Sequence, residues 1–459
     1  SLDNRLRFAR EVIAAVRGGI GSDRVVGMRI SGDEYFEGGL TLDDTILIVP
    51  RLEATGQLDF IHVGAGPGAA SHIPPSYRKA GSFVYLTEAI RKVTDLALIC
   101  SQRVNDPQIA ESVLASGAAD LVSMNRAIMT DPEMPTKARE GRLQEIRHCI
   151  ACNECIARGR IGMPIACTMN AELGREQQMA IEKTDTPRHV LVVGGGPAGL
   201  EAARVASLRG HRVTLYEKGD TLGGQPLIAS QAPGREELDE VRRYYTYQMG
   251  LQEVDVHLNK EATSETIEQE APDAVVIATG SRAILSELTA DDVPVVDVRT
   301  ILSGEADIEP GQRVVLQAED HHMQGLTAAD FLVEKGCEVQ VLTEAVYAGS
   351  QIETGTLETL YQRLLTKGVT LTPLTTIKLI DGRTVVTENT ISKAEARIQG
   401  VDMIVASYGN EASDELYREV KSDADSTSTT PALYLIGDAS APRRLMDAIL
   451  DGARVGRIL

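Results

Sequence analysis

Cys149, Cys152 and Cys155 stand two residues apart, and Cys167 follows from a short connecting segment. Three thiolates at that spacing can grip neighbouring irons of one compact cubane, while a fourth arrives from a loop. The run CIACNEC therefore predicts a 4Fe-4S cluster with Cys149, Cys152, Cys155 and Cys167 as its ligands. Tetrahedral zinc is the rival, but it usually draws on two separated Cys or His pairs rather than a close triplet. A disulfide framework fits less well, because nothing marks the chain as secreted. Electron transfer is the first chemistry this chain suggests.

A second motif lies in VLVVGGGPAGLEAARVASLRGHRVTLYEK, where Gly194, Gly196 and Gly199 join a strand to a helix and Glu217 ends the next strand. Such glycines permit a tight turn, close backbone approach to a pyrophosphate, and helix–strand packing. The helix N-terminus faces the phosphates with its partial positive charge. Glu217 suits a free ribose 2′-hydroxyl and repels a 2′-phosphate. Farther on, VVIATGS (275–281) ends in a glycine turn, and ALYLIGDASAP (432–442) delivers Gly437 and Asp438 from a strand end. A related βαβ pattern recurs at 313–344, but its turn, QAEDHHM, holds Glu319 and Asp320 and no glycine. Sterics and charge there both oppose a pyridine nucleotide. His321 and His322 lack the paired Cys or carboxylate spacing of a metal site.

Upstream, short apolar strands at 25–30, 59–63, 96–100 and 120–124 alternate with helical stretches around 43–55, 86–94, 107–116 and 133–140. Strand, helix, strand at that spacing implies parallel strands with right-handed crossovers. Doubly wound sheets and (β/α)8 barrels both satisfy the pattern. The segments SQRVNDP and NRAIMTDP favour a barrel. Each sets an arginine, Arg103 or Arg126, just past a strand and before an Asp-Pro helix start. Barrels often bind phosphate there, and the planar guanidinium meets phosphate oxygens bidentately, against the plainer reading of two surface arginines pairing with Asp106 and Asp131.

At 459 residues the chain holds two or three domains. Its net charge of −20 offers no basic stripe for nucleic acid. No apolar stretch reaches membrane-spanning length. Reduced thiols fit the cytoplasm.

The ordered segments SLDNRLRF, VVGMRIS, SQRVNDP, NRAIMTDPEMPTKAREGR and CIACNECI resemble the iron–sulfur branch of the old yellow enzyme family. That branch includes trimethylamine, dimethylamine and histamine dehydrogenases and 2,4-dienoyl-CoA reductase. The resemblance implies an α/β chain that is N-terminally incomplete, beginning where the family's fifth barrel strand is approached. Expected domains are the C-terminal half of an FMN-binding (β/α)8 barrel at 1–146 and a 4Fe-4S segment at 147–186. A two-part Rossmann-like domain for FAD or ADP follows at 187–302 plus 400–459, with a vestigial NAD(P)-binding-like domain at 303–399.

By the same resemblance Arg29 lies beside the flavin pyrimidine ring, Arg103 and Arg126 meet the FMN phosphate, and Asp438 meets the ribityl chain of an FAD. Gln102 and Asn125 stand where relatives usually carry Gly or Ala. The loop HVGAGPGAASHIPPSY (62–77) sets Ala69 or Ala70 at the family's substrate-cage tryptophan and His72 near its active-site carboxylate. His72 is therefore the candidate general base, against the reading of a loop histidine bonded to backbone. Trimethylammonium prefers an aromatic cage, which argues against trimethylamine itself.

The expected activity is oxidation of a small N-methyl amine at FMN, with electrons passing through the cluster to an external acceptor such as an electron-transferring flavoprotein. A homo-oligomer is expected. The alternatives are an NAD(P)H-dependent enoate or dienoyl-CoA reductase and an inactive or electron-transfer-only fragment.

Overall fold

The computed structural model describes residues 1–66, 73–285, 290, 292–424 and 431–459. It comprises two compact units, Ser1–Asn153 with Thr354–Glu358, and Glu154–Glu353 with Thr359–Leu459.

In the first unit four parallel strands, β1 (Gly27–Ser31), β2 (Phe60–Gly64), β3 (Ala97–Cys100) and β4 (Leu121–Val122), lie side by side in chain order. Helices Leu42–Glu53, Val84–Arg91 and Pro107–Ala115 fill the three crossovers. A doubly wound sheet would reverse its strand order, whereas a barrel adds each strand beside the last. The order observed is that of a barrel. Local chemistry sets where the helices start: Thr41 and Asp44 form a capping box, and Asp106 accepts from the Gln108 amide with Pro107 in the first turn.

Strand periodicity then sorts the side chains between two faces. Ile30, Ile61, Val63, Leu98 and Cys100 pack against Ile48, Val49, Leu52, Leu86, Ile90 and Val113 of the helices. Each such fully buried aliphatic side chain contributes about 2 kcal/mol. Arg29, His62 and Ile99 are register partners of the opposite parity, so they lie on the inner face.

The second unit contains two parallel five-stranded sheets. The first runs Ala432–Leu435, Ala274–Ile277, His189–Val193, Arg212–Tyr216, Asp255–His257. The second runs Val295–Asp297, Met403–Ser407, Arg313–Ala318, Glu338–Leu342, Thr370–Thr372. Here the expected boundaries need a correction. The strands at 295–297 and 403–407, assigned to the first nucleotide domain, pair with each other, and Met403–Ser407 pairs in turn with Arg313–Ala318 in the second sheet. Both sheets draw on the same apolar strand pattern, so periodicity cannot say which sheet a strand joins. A three-stranded antiparallel sheet, Thr375–Asp381, Thr384–Asn389 and Glu395–Gln399, completes the second segment. Among the described residues no helix is long and apolar enough to cross a membrane.

Candidate functional site

On the inner face of the first unit, Arg29 leans across β2. A Cβ added at Gly64 would lie 3.3 Å from its Nε and Nη2, so the missing side chain makes room for the guanidinium. The strand-end loops are strained. Gln102 and Arg103 adopt φ of 74° and 54° in succession, a region costly for side-chain-bearing residues and frequent at functional sites. Gln102 thus takes the conformation that glycine takes freely at this place. Its amide donates to the Ala65 carbonyl at 2.9 Å, and Ser101 Oγ donates to Val63 O at 2.7 Å.

Arg103 is buried, and its Nε donates to Arg78 O at 2.6 Å. Arg126 Nη1 donates to Pro74 O at 3.0 Å and to Asn153 Oδ1, while Asn153 Nδ2 donates to Ile73 O at 3.0 Å. Asn153 is almost fully buried, a member of this set that the sequence reading missed. Its place between Cys152 and Cys155 was the one available signal. The three side chains together pin residues 73–78. His72, Ala69 and Ala70 lie outside the described residues.

The division between units falls inside the cysteine run: Cys149 and Cys152 belong to the first, Cys155 and Cys167 to the second. Asn105 Nδ2 donates to Cys149 O at 2.9 Å, and the Ala151 amide approaches Cys149 Sγ at 3.4 Å. Ala151 and Asn153 both have positive φ, 47° and 58°. Backbone amides aimed at sulfur are the means by which proteins stabilise thiolate ligands, so the local geometry fits a thiolate at Cys149. Among the described residues no group of three or more His, Cys, Asp and Glu side chains is drawn together for a metal ion. The other free thiols differ, because burial pushes Cys100 and Cys337 above the usual thiol range and keeps them protonated.

In the first sheet of the second unit, the strand His189–Val193 leads into helix Pro197–Leu208. Gly194 has φ 109°, and a Cβ there would lie 2.3 Å from Ala278 O. A Cβ on Gly199 would lie 2.0 Å from Gly194 O. Gly196, the N-cap, faces open space instead and carries no side-chain cap, so a phosphate can approach the helix amides. Glu217 braces the turn. Its Oε2 accepts from the Gly195 amide and its Oε1 from the Gly219 amide, both at 2.7 Å. Gly437 has φ 63°, and Asp438 Oδ2 accepts from Gln225 Nε2 and Ser281 Oγ, each at 3.0 Å. Gln225 and Ser281 stand too far off in sequence to have been linked to Asp438 beforehand. The glycine turn, the bare helix start and the braced carboxylate fit an adenine nucleotide.

The second sheet answers the same geometry differently. Asp320 Oδ2 accepts from the amides of His322 (3.2 Å) and Gln324 (3.0 Å). Its Oδ1 accepts from the Gly325 amide (3.1 Å) and Ser407 Oγ (3.0 Å). The carboxylate therefore caps helix Gln324–Glu334, where an incoming pyrophosphate would need those amides. Beside it, Glu319 accepts from Gln317 and the Glu344 amide, and burial raises its pKa. Burial first, then Arg444 and Arg235, push His322 down to about 4.

A barrel-type flavin domain followed by a unit with two nucleotide-type sheets defines a flavin-dependent oxidoreductase. Residues 1–145 match the NADH:flavin oxidoreductase / NADH oxidase family, and residues 188–452 match the pyridine nucleotide-disulphide oxidoreductases. N,N-dimethylglycine/sarcosine dehydrogenase of Chromohalobacter salexigens is 34% identical over 99% of this chain and 72% of that protein. A probable N-methylproline demethylase of Rhizobium meliloti is 32% identical over 99% of this chain and 71% of that protein. The solved histamine dehydrogenase of Rhizobium sp. 4-9 superposes with a TM-score of 0.91 at 27% identity, covering all of this chain and 69% of that one. The chain belongs to the NADH:flavin oxidoreductase family, in the group that joins an FMN-type barrel to a pyridine-nucleotide-type unit and contains amine dehydrogenases.

Proposed function

We propose that this chain belongs to an enzyme that oxidises a small N-methyl amine at FMN and sends the electrons through a 4Fe-4S cluster to an external acceptor protein, such as an electron-transferring flavoprotein. The observation that carries this reading is Asp320. Its carboxylate accepts from three amides of the second turn, donors that a pyrophosphate would need, and this supports a reading without a pyridine dinucleotide in that sheet. On this reading electrons enter from the organic substrate and leave by another route. The relatives named for N,N-dimethylglycine, sarcosine and N-methylproline point to substrates whose N-methyl carbon is oxidised.

In such a reaction a hydride leaves the N-methyl carbon, and water hydrolyses the resulting iminium to formaldehyde and the shorter amine. The flavin supplies the two-electron acceptor. The residues of this chain bind and orient. Arg29 places positive charge on the inner face, where a reduced flavin is anionic. Arg103 and Arg126, fixed by their carbonyl partners, bring guanidinium charge to the FMN phosphate. Gly194, Gly196, Gly199 and Glu217 hold the adenine nucleotide of FAD or ADP, with Gly437 and Asp438 at its far end. Cys149, Cys152, Cys155 and Cys167 ligate the cluster, and His72 takes up the substrate proton.

The test is anaerobic reduction of the full-length holoenzyme followed by flavin absorbance. Bleaching by dimethylglycine, sarcosine or N-methylproline, with none by NADH or NADPH, is the expected result. Rapid bleaching by a nicotinamide and reoxidation by an enoyl substrate would replace this reading with the reductase. An intact cluster without bound FMN would mark an electron-transfer-only protein.

A further inference from the structure

The inner face of the barrel holds a second polar group that no role above absorbs. His62 sits on β2 directly beside Arg29 in the parallel register. Its Nε2 is sealed from solvent and has no hydrogen-bond partner among the described residues. A buried imidazole nitrogen left in that state is destabilising, and such atoms call for a reason. The helix-facing side of the sheet is filled by Ile61 and Val63, so His62 does not serve the packing core. Arg29 is the charged group that acts on the ring; the neighbouring β3 presents Ile99, which has no charge. Burial, and next the Arg29 charge, hold the imidazole below the usual histidine range, so it is neutral near pH 7.

We propose that His62 is a positioning residue for Arg29 and its proton-coupled partner: an uncharged imidazole lies against the guanidinium until negative charge arrives there, and then takes one proton from solvent. The electrostatics follow from the geometry. Two cations side by side on a half-buried face repel, so the Arg29 charge adds to burial in keeping the proton off His62. An anion paired with Arg29 cancels that repulsion and adds attraction, and the imidazole gains affinity for a proton. The balance is simple. Two electrons and one proton enter the site together, the electrons on the flavin and the proton from bulk water on the imidazole. His62 touches neither substrate nor reacting atoms; it sets how much positive charge Arg29 presents.

This inference rests on the flavin reading of the barrel, and its test separates the two. The midpoint potential of the barrel flavin is measured in the full-length holoenzyme from pH 5 to 8.5, for wild type, His62→Gln and His62→Phe. In wild type, one extra proton per two electrons changes the equilibrium tenfold per pH unit, an added slope of about 30 mV per pH unit for a two-electron couple. That slope should appear between the His62 pKa of the oxidised protein, below the usual histidine range, and that of the reduced protein, higher up. His62→Gln keeps a polar ring-sized neighbour for Arg29 and should retain flavin while losing the added slope. His62→Phe should lose the slope and also weaken flavin binding several-fold. A His62→Gln profile that superposes on wild type, with flavin bound in both, overturns the inference and leaves the proposed function intact. Wild-type protein that binds no flavin overturns the proposed function instead.

Discussion

Two strand–turn–helix segments of the second unit, 189–217 and 313–344, begin from the same plan and end with opposite chemistry. In the first, Gly196 leaves the helix start bare and Glu217 stands braced on the Gly195 and Gly219 amides. In the second, Asp320 lies on the helix start and uses the amides itself. A helix N-terminus attracts an anion whichever molecule supplies it. The difference teaches that one carboxylate can take up the amides of a helix start while the sheet beneath it stays whole, since Arg313–Ala318 still pairs in register with both neighbours.

The contrast can be tested from its strongest consequence to its weakest. Gly199→Ala forces a Cβ to within 2.0 Å of the Gly194 carbonyl, a backbone atom that cannot step aside. A loss of about 3 kcal/mol in denaturant unfolding is expected, together with loss of bound adenine nucleotide. A stable variant that keeps its nucleotide would deny the close packing of the first turn.

The second turn should announce itself through pH. His322 has a folded pKa of about 4, below the ordinary histidine value of 6.5. The unfolded chain therefore binds the proton first, and stability falls as pH drops through 6.5 toward 4. Between pH 7 and pH 5 this group alone removes about 2 kcal/mol. Urea unfolding at the two pH values should show that loss in wild type and a correspondingly smaller one in His322→Gln. Equal losses in both proteins would mean the ring is not held neutral by its surroundings.

Asp320→Ala is expected to cost about 1 kcal/mol, the usual effect of removing a helix cap. It should not create NADH binding, because the half-buried Glu319 and the His321 and His322 side chains still crowd the turn where the first site has glycine. Calorimetry checks both parts, and stabilisation on loss of the carboxylate would contradict the capping role.

Much of this was legible in the residues. Glycine spacing marked the first nucleotide turn, and the strands at 25–30, 59–63 and 96–100 fall within a residue or two of β1, β2 and β3. Negative charge at Glu319 and Asp320 was visible too, but not that Asp320 would turn inward onto the helix, a fold-dependent choice that also needs Ser407. Asn153 holding Ile73, and Gln225 and Ser281 meeting at Asp438, join residues 56 to 213 positions apart or a loop to a turn, and no local pattern encodes such pairs. The membership of Val295–Asp297 and Met403–Ser407 in the second sheet was hidden for the same reason. Chemistry carried by spacing can be read from a sequence, whereas chemistry assembled across the fold cannot.

The central claim is that one nucleotide seat is open and the other is filled by the protein itself. Its most direct measurement counts adenine nucleotides extracted from the purified full-length protein and then titrates that protein with NADH and NADPH by calorimetry. One tightly held adenine nucleotide per chain, with no saturable uptake of either nicotinamide, is the predicted outcome. Stoichiometric binding of NADH or NADPH beyond that first nucleotide would contradict it.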